Sequence, residues 1–292
     1  MSAEGIVKII DQQQFLDQAS DALQPAIKSV FDAAGESGQQ VKDALHGTWL
    51  GHPLHPVLTD IPIGAWTMAM VFDAMDSING SRELRRAADV SVTVGLIGAA
   101  GAAVTGLTDW SETYGRGRKV GLAHGLLNVS ATALYATSLA MRRSRARSAG
   151  VGFAMLGYAV SMAAAYLGGH LVYGEQIGVD HTAAQEMPKD FVPALRESEL
   201  VEGKLVCGDA RGVAVVLLRQ GAEIHAIANT CAHLGGPLCE GKLEGDVVQC
   251  PWHGSRFSLR DGHVVNGPAT QPQPVFEARV NEGWVEVRAV NA

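Results

Sequence analysis

The sequence predicts an α + β protein of two domains: an N-terminal α-helical transmembrane bundle of four spans and a small C-terminal antiparallel-β domain. Three observations carry that expectation. Charged residues are absent from windows 90–108, 120–141 and 148–174, each long enough to cross ~30 Å of hydrocarbon as a helix. Further on, residues 213–218, 223–227, 247–249, 275–280 and 284–290 are short β-rich runs separated by turns bearing Gly, Asp or Asn. Two of the four cysteines stand beside histidines in that same C-terminal stretch.

Residues 1–50 come first. Phe15, Leu16, Ala19, Leu23, Ile27, Val30, Phe31 and Leu45 are spaced for amphipathic helices, broken near Pro25 and Gly35. Such helices lie along a membrane surface or cover the C-terminal domain, and they are too polar for a secretory signal. The bundle follows at 51–174. A fourth, weaker span at 61–75 is punctuated by Asp60, Asp73 and Asp76. Gly98, Ala102 and Gly106 put small residues on one stripe of the second span, as close helix packing in lipid requires. The sequence offers no convincing internal repeat.

Four spans put both ends of the bundle on one side of the membrane. Arg82, Arg85, Arg86, Arg142, Arg143, Arg145 and Arg147 fall in the loops opposite, against Arg116, Arg118 and Lys119 (offset by Glu112) in the middle loop. The positive-inside bias then turns the C-terminal domain away from the cytoplasm. Arg142-Arg143 also reads as a twin-arginine export signal, with ordinary positive-inside anchoring as the plainer account. A net charge of −7 points away from nucleic acid.

A linker at 175–187 leads to the domain at 188–292, which carries Cys231-Ala-His233-Leu-Gly-Gly-Pro237, Cys250-Pro-Trp-His253-Gly-Ser255 and Gly267-Pro268-Ala269. Two thiolates and two imidazoles, one of each per loop, suit the mixed ligation of a 2Fe-2S centre. A structural zinc site uses the same donors and is the alternative. The domain resembles a Rieske ferredoxin, through those loops and through Ile224-His-Ala-Ile-Ala-Asn229, Gly254-Ser-Arg-Phe257 and Pro272-Gln-Pro-Val-Phe276. The resemblance implies a cluster at one tip, with Cys231 and Cys250 on one iron and His233 and His253 on the other. Leu234, Gly235, Pro237 and Trp252 would form an apolar rim for a redox partner.

Rieske domains of cytochrome bc complexes carry an extra cysteine in each loop where this chain has Gly236 and Trp252, and a tyrosine where it has Phe257. Fewer hydrogen bonds around a cluster lower its potential, so roughly −150 to +100 mV is expected. Cys207 and Cys239 read as small buried residues, with a bridge between them left open. Only one histidine, His263, follows His253, so the second iron site of a Rieske oxygenase has no residues to form it.

The helical half resembles a bacterial membrane-domain family of unknown function. The carrying motifs are Gly47-Thr-Trp-Leu-Gly-His52-Pro-Leu-His55-Pro, Thr59-Asp-Ile-Pro-Ile-Gly-Ala-Trp66, Thr105-Gly-Leu-Thr-Asp-Trp110 and Gly168-Gly-His170-Leu-Val-Tyr173. That resemblance implies a multi-pass protein of the bacterial cytoplasmic membrane. With alternating spans, His52, His55, His124 and His170 gather at the membrane face bearing the C-terminal domain, with Asp60 and Asp109. Ionisable groups at such depth are costly and usually functional. Three readings compete: a b-type haem, with His124 and His170 the best pair; a quinone site; or helix-end hydrogen bonding. His52 and His55 look more like a surface site or metal clip. The expected function is a membrane-anchored carrier of single electrons between quinone or haem and a redox partner protein, with a cluster-based redox sensor as the alternative.

Overall fold

The computed structural model describes residues 3–144 and 146–290, so Arg145 of the expected cytoplasmic loop lies outside the described residues. The chain forms two compact units: residues 1–38 with 54–177, and residues 39–53 with 178–292.

The first unit is helical. Helices α1 (Ala3–Asp11), α2 (Gln14–Asp32) and the start of α3 (Gly35–His46) precede α4 (Leu54–Asn79), α5 (Arg82–Trp110), α6 (Gly115–Arg142) and α7 (Arg147–Tyr173). Two antiparallel hairpins result, α4 with α5 and α6 with α7. Ser81 starts α5 by accepting the Leu84 N–H at 3.3 Å. Helix α2 continues through Pro25, where the sequence led us to expect a break. Tertiary packing holds it. Leu16, Ser20 and Gln24 are buried, and Gln24 Nε2 donates to Trp110 O (2.8 Å) and Thr113 O (3.0 Å), supplying donors to the end of α5.

Helices α4, α5 and α7 are long and apolar enough to cross a membrane. The weak expectation at 61–75 thus becomes part of a candidate span. The stronger one at 120–141 becomes α6, which falls outside that set. His124 and Asn128 account for most of the reversal. Ser130, Thr132 and Thr137 add a little, and each bonds the carbonyl four residues back, as Asn128 Nδ2 does to His124 O, so much of this polarity stays inside the helix.

The structure also reveals a repeat that the sequence does not. Buried Pro62, Trp66 and Ala69 of α4 correspond to buried Ala131, Tyr135 and Ser138 of α6 at one offset, 69 residues. Buried Ala88, Val92, Gly95, Ala102 and Thr105 of α5 correspond to buried Gly150, Ala154, Gly157, Ala164 and Leu167 of α7 at an offset of 62. The two hairpins are one design used twice. Trp66 stacks flat on Tyr135 (4.0 Å between ring centres), and Asp73 pairs with Arg142, again across α4 and α6.

The second unit is built on strands β1 (Val192–Arg196), β2 (Leu205–Ala210), β3 (Val213–Gln220), β4 (Glu223–Ala228), β5 (Lys242–Glu244), β6 (Val247–Gln249), β7 (Arg256–Ser258), β8 (Val264–Asn266), β9 (Val275–Asn281) and β10 (Trp284–Ala289). A six-stranded sheet runs β1-β10-β9-β4-β3-β2, and a four-stranded sheet runs β5-β6-β7-β8, with antiparallel neighbours throughout. Arg211-Gly212 and Glu282-Gly283 close two hairpins with positive φ at both residues, the turn that matches strand twist. One core gathers Val215, Leu217, Phe276 and Val285; a second gathers Val216, Ile227, Leu238, Val248 and Phe257 around Cys231 and Cys250.

Cys207 and Cys239 form a disulfide, with Cα atoms 5.4 Å apart. The expectation of two buried thiols is corrected: Cys207 is exposed on edge strand β2, and Cys239 is half-buried just past the first Cys-His loop. Residues 39–53 belong to this unit, although the sequence grouped 1–50 together. Asp43 accepts from Asn266 Nδ2 (2.9 Å) and Gly267 N (2.8 Å), and Gln271 Nε2 donates to Gly51 O. Covering the C-terminal domain was one of the two roles read for the N-terminal segment.

Candidate metal centre

Two loops converge at one end of the four-stranded sheet. The first, between β4 and β5, is closed by Cys231 N to Gly236 O (2.8 Å) and Gly235 N to Cys231 O (2.8 Å). The second, between β6 and β7, is closed the same way by Cys250 N to Ser255 O (2.8 Å) and Gly254 N to Cys250 O (3.1 Å). Gly235 and Gly254 sit at φ +79° and +76°, which lets each loop turn back on its cysteine. A Cβ on Gly236 would come within 2.8 Å of Cys250 Sγ. The loops press together there, which leaves no room for the cysteine that bc-type domains carry.

The four predicted ligands meet. Cys231 and Cys250 are buried, free of disulfides, and share a hydrogen bond that lowers the pKa of Cys250 and raises that of Cys231. The rings of His233 and His253 lie 5.1 Å apart at 85°. Burial, reinforced by neighbouring His253, holds the His233 pKa well below the usual imidazole range, so the ring is neutral and able to bind metal. Its Nδ1 atom is buried with no hydrogen-bond partner. A buried polar atom left without a partner is rare, and a metal bond is what would satisfy this one. Ser255, also buried, accepts the Ala269 N–H at 3.0 Å and ties the second loop to the Gly267-Pro268-Ala269 loop. Phe257 is fully buried beneath. On these observations the site fits an iron-sulfur cluster.

Comparison with known proteins decides the family. The family described as "Rieske [2Fe-2S] domain" matches residues 190–277. The ferredoxin CarAc of Metapseudomonas resinovorans is 41% identical over 73 residues, covering 25% of this chain and 68% of its own. The chain belongs to the Rieske [2Fe-2S] family. The ferredoxin component of the naphthalene 1,2-dioxygenase system of Pseudomonas putida is 28% identical over 94 residues, 32% of this chain and 90% of that protein. Apoptosis-inducing factor 3 of Mus musculus is 33% identical over 95 residues, again 32% of this chain but only 14% of its length. Ahead of the Rieske domain, the family "Predicted membrane protein (DUF2231)" matches residues 51–181. The chain is therefore a DUF2231 membrane domain followed by a Rieske 2Fe-2S domain, and electron transfer is the function the Rieske domain carries.

Three residues around the Rieske site were not singled out from the sequence. His46 is almost fully buried, and its Cδ2 lies 3.4 Å from where a Gly267 Cβ would stand. The His181 N–H donates to Ala232 O in the first loop (3.1 Å), and Asp43 holds the third loop. They come from segments remote in sequence from the Cys-His loops, so no local motif marks them. Trp252 is half exposed beside His253.

Two of the four expected membrane histidines meet. His52 is exposed, and its Nδ1 donates to the Pro53 carbonyl at 3.2 Å. His170 lies against Glu175, Nε2 to Oε1 at 3.2 Å. His124 meets His55, with ring centres 6.3 Å apart at 88°. The observed contact joins His124 to His55, whereas the sequence favours His124 with His170.

Proposed function

We propose that the protein is a membrane-anchored Rieske electron carrier, moving single electrons between a quinone or haem of the membrane and a redox partner protein. The observation that carries this reading is the convergence of buried Cys231 and Cys250 with His233, whose buried Nδ1 lacks any hydrogen bond. Cys231 and Cys250 would hold one iron, His233 and His253 the other, and the bound cluster would supply one-electron chemistry. Apolar surface at Trp252 next to His253 would seat the partner and exclude water from the contact. The relatives that carry the name ferredoxin support a protein as that partner.

Two further points belong to the same reading. The three buried positions of α4 recur in α6 at one offset, which supports counting α6 as a fourth span despite its polar residues. The Rieske domain would then face away from the cytoplasm, the Arg-bearing loops lying opposite. The Cys207–Cys239 disulfide supports that side, because such bonds persist in oxidising compartments.

The test is direct. The full-length protein, purified in detergent and reduced with dithionite, should give a Rieske electron paramagnetic resonance signal with a midpoint at roughly −150 to +100 mV. Trp252→Ala should slow electron exchange with a ferredoxin reductase while leaving reduction by small mediators unchanged. Loss of both rates together, with the signal intact, would refute the docking role.

A further inference from the structure

Helices α4 and α6 face each other diagonally and meet through three pairs of equivalent side chains, each 69 residues apart: His55 with His124, Trp66 with Tyr135, and Asp73 with Arg142. Two of the pairs are chemically complete. The aromatic rings stack at 11°, and the carboxylate neutralises the guanidinium. The histidine pair is not complete, because among the described residues no hydrogen bond joins the two rings.

Each imidazole is nevertheless fixed. His55 Nδ1 lies 2.9 Å from Ala102 O, and His124 Nδ1 lies 2.8 Å from Ala164 O, the equivalent carbonyl of the other hairpin. A carbonyl only accepts, so both rings carry their proton on Nδ1 and keep a lone pair on Nε2. Gly106 and Gly168, also equivalent, make room for this. A Cβ there would come within 2.7 Å of His55 Cε1 and 3.1 Å of His124 Cε1. Asn128 Nδ2 donates to His124 Nε2 at 3.1 Å, which agrees with a lone pair at that atom. His55 Nε2 makes no hydrogen bond among the described residues.

A neutral imidazole whose Nδ1–H is locked onto a backbone carbonyl is the arrangement that orients metal-binding histidines. Two imidazoles on opposite sides of one metal, at ~2.0–2.1 Å per bond, have ring centres roughly 6 Å apart; here they are 6.3 Å apart. Among the described residues no third His, Cys, Asp or Glu completes a cage for a bare ion. Haem brings its own four nitrogens and asks the protein for two. A quinone is served poorly, since Nε2 in this tautomer cannot donate to a quinone carbonyl.

We propose that His55 and His124 are the two axial ligands of a b-type haem on the pseudo-twofold axis of the duplicated helical bundle. The proposal deepens the redox role read above for the helical unit, and rests on it. Asn128 would then release His124 Nε2 to the iron and serve as a positioning residue.

The test uses the full-length protein expressed with added haem precursor and purified in detergent. Pyridine haemochrome analysis should give one b-type haem per chain, lost in His55→Ala and in His124→Ala but kept in His170→Ala and His52→Ala. Added imidazole should restore the visible bands to His124→Ala, and Asn128→Ala should shift those bands without abolishing them. The Rieske signal, read on the same samples, reports folding and separates the two claims. A Rieske signal without haem, haem that survives both histidine substitutions, or a non-haem metal at the pair would overturn this proposal and leave the Rieske reading standing. Haem without a Rieske signal would do the reverse.

Discussion

The rings of His233 and His253 lie 5.1 Å apart at 85°, and those of His55 and His124 lie 6.3 Å apart at 88°. The two pairs look alike and are made by opposite means. In the β unit each histidine shares a tight loop with a cysteine, two or three residues away, and the loop's own backbone bonds fix both. In the helical unit each histidine stands alone on a helix, and the carbonyl that orients it comes from the neighbouring helix. The β site is specified by local sequence, the helical pair by duplicated packing.

That difference sets how hard each region should be to break. The largest effect is expected from Cys231→Ser. It should remove all labile sulfide and loosen the β unit to proteases, because metal ligation is also folding energy; retained sulfide would contradict the local specification. Next comes Arg142→Ala, at the far level of the repeat. Its side chain is fully buried against Asp73, itself 7% exposed, so the change leaves that carboxylate with Arg147 alone, 3.6 Å away, and should cost about 3 kcal/mol. A thermal melt in detergent would read it, with partial recovery in the Asp73→Asn/Arg142→Ala double variant. Cys207→Ala should cost about 2–4 kcal/mol by opening the disulfide, with a matching loss when the wild-type protein is reduced and the cluster signal kept in both. The smallest is Asp43→Ala. Two hydrogen bonds to the Asn266-Gly267 turn vanish, about 1–3 kcal/mol, and the melting of the β unit should fall with its cluster intact.

The same contrast explains what could be read beforehand. The β domain was legible because alternating strands, positive-φ glycine turns and the two Cys-His loops all act within a few residues. The long apolar helices α5 and α7 were legible for the same reason. Helix α6 was harder to read, because a window free of charge still holds His124 and Asn128, whose polarity is met by neighbouring carbonyls and by each other rather than by water. The repeat was hidden because packing conserves size and place rather than identity: Trp66 answers Tyr135, Ala69 answers Ser138, and Asp73 answers Arg142. His55 with His124, and Gly106 with Gly168, are among the few identities, too sparse to register along the chain. The disulfide and Asp43 were out of reach, since a bond over 32 residues and a contact over 223 depend on the folded sheet.

The central claim is that the two Cys-His loops hold a 2Fe-2S cluster. Labile sulfide and metal, counted per chain on full-length protein expressed with ample iron, test it most directly. The account predicts two sulfides per chain with at least two irons, and neither above trace in Cys250→Ser. Stoichiometric zinc with no labile sulfide would contradict it.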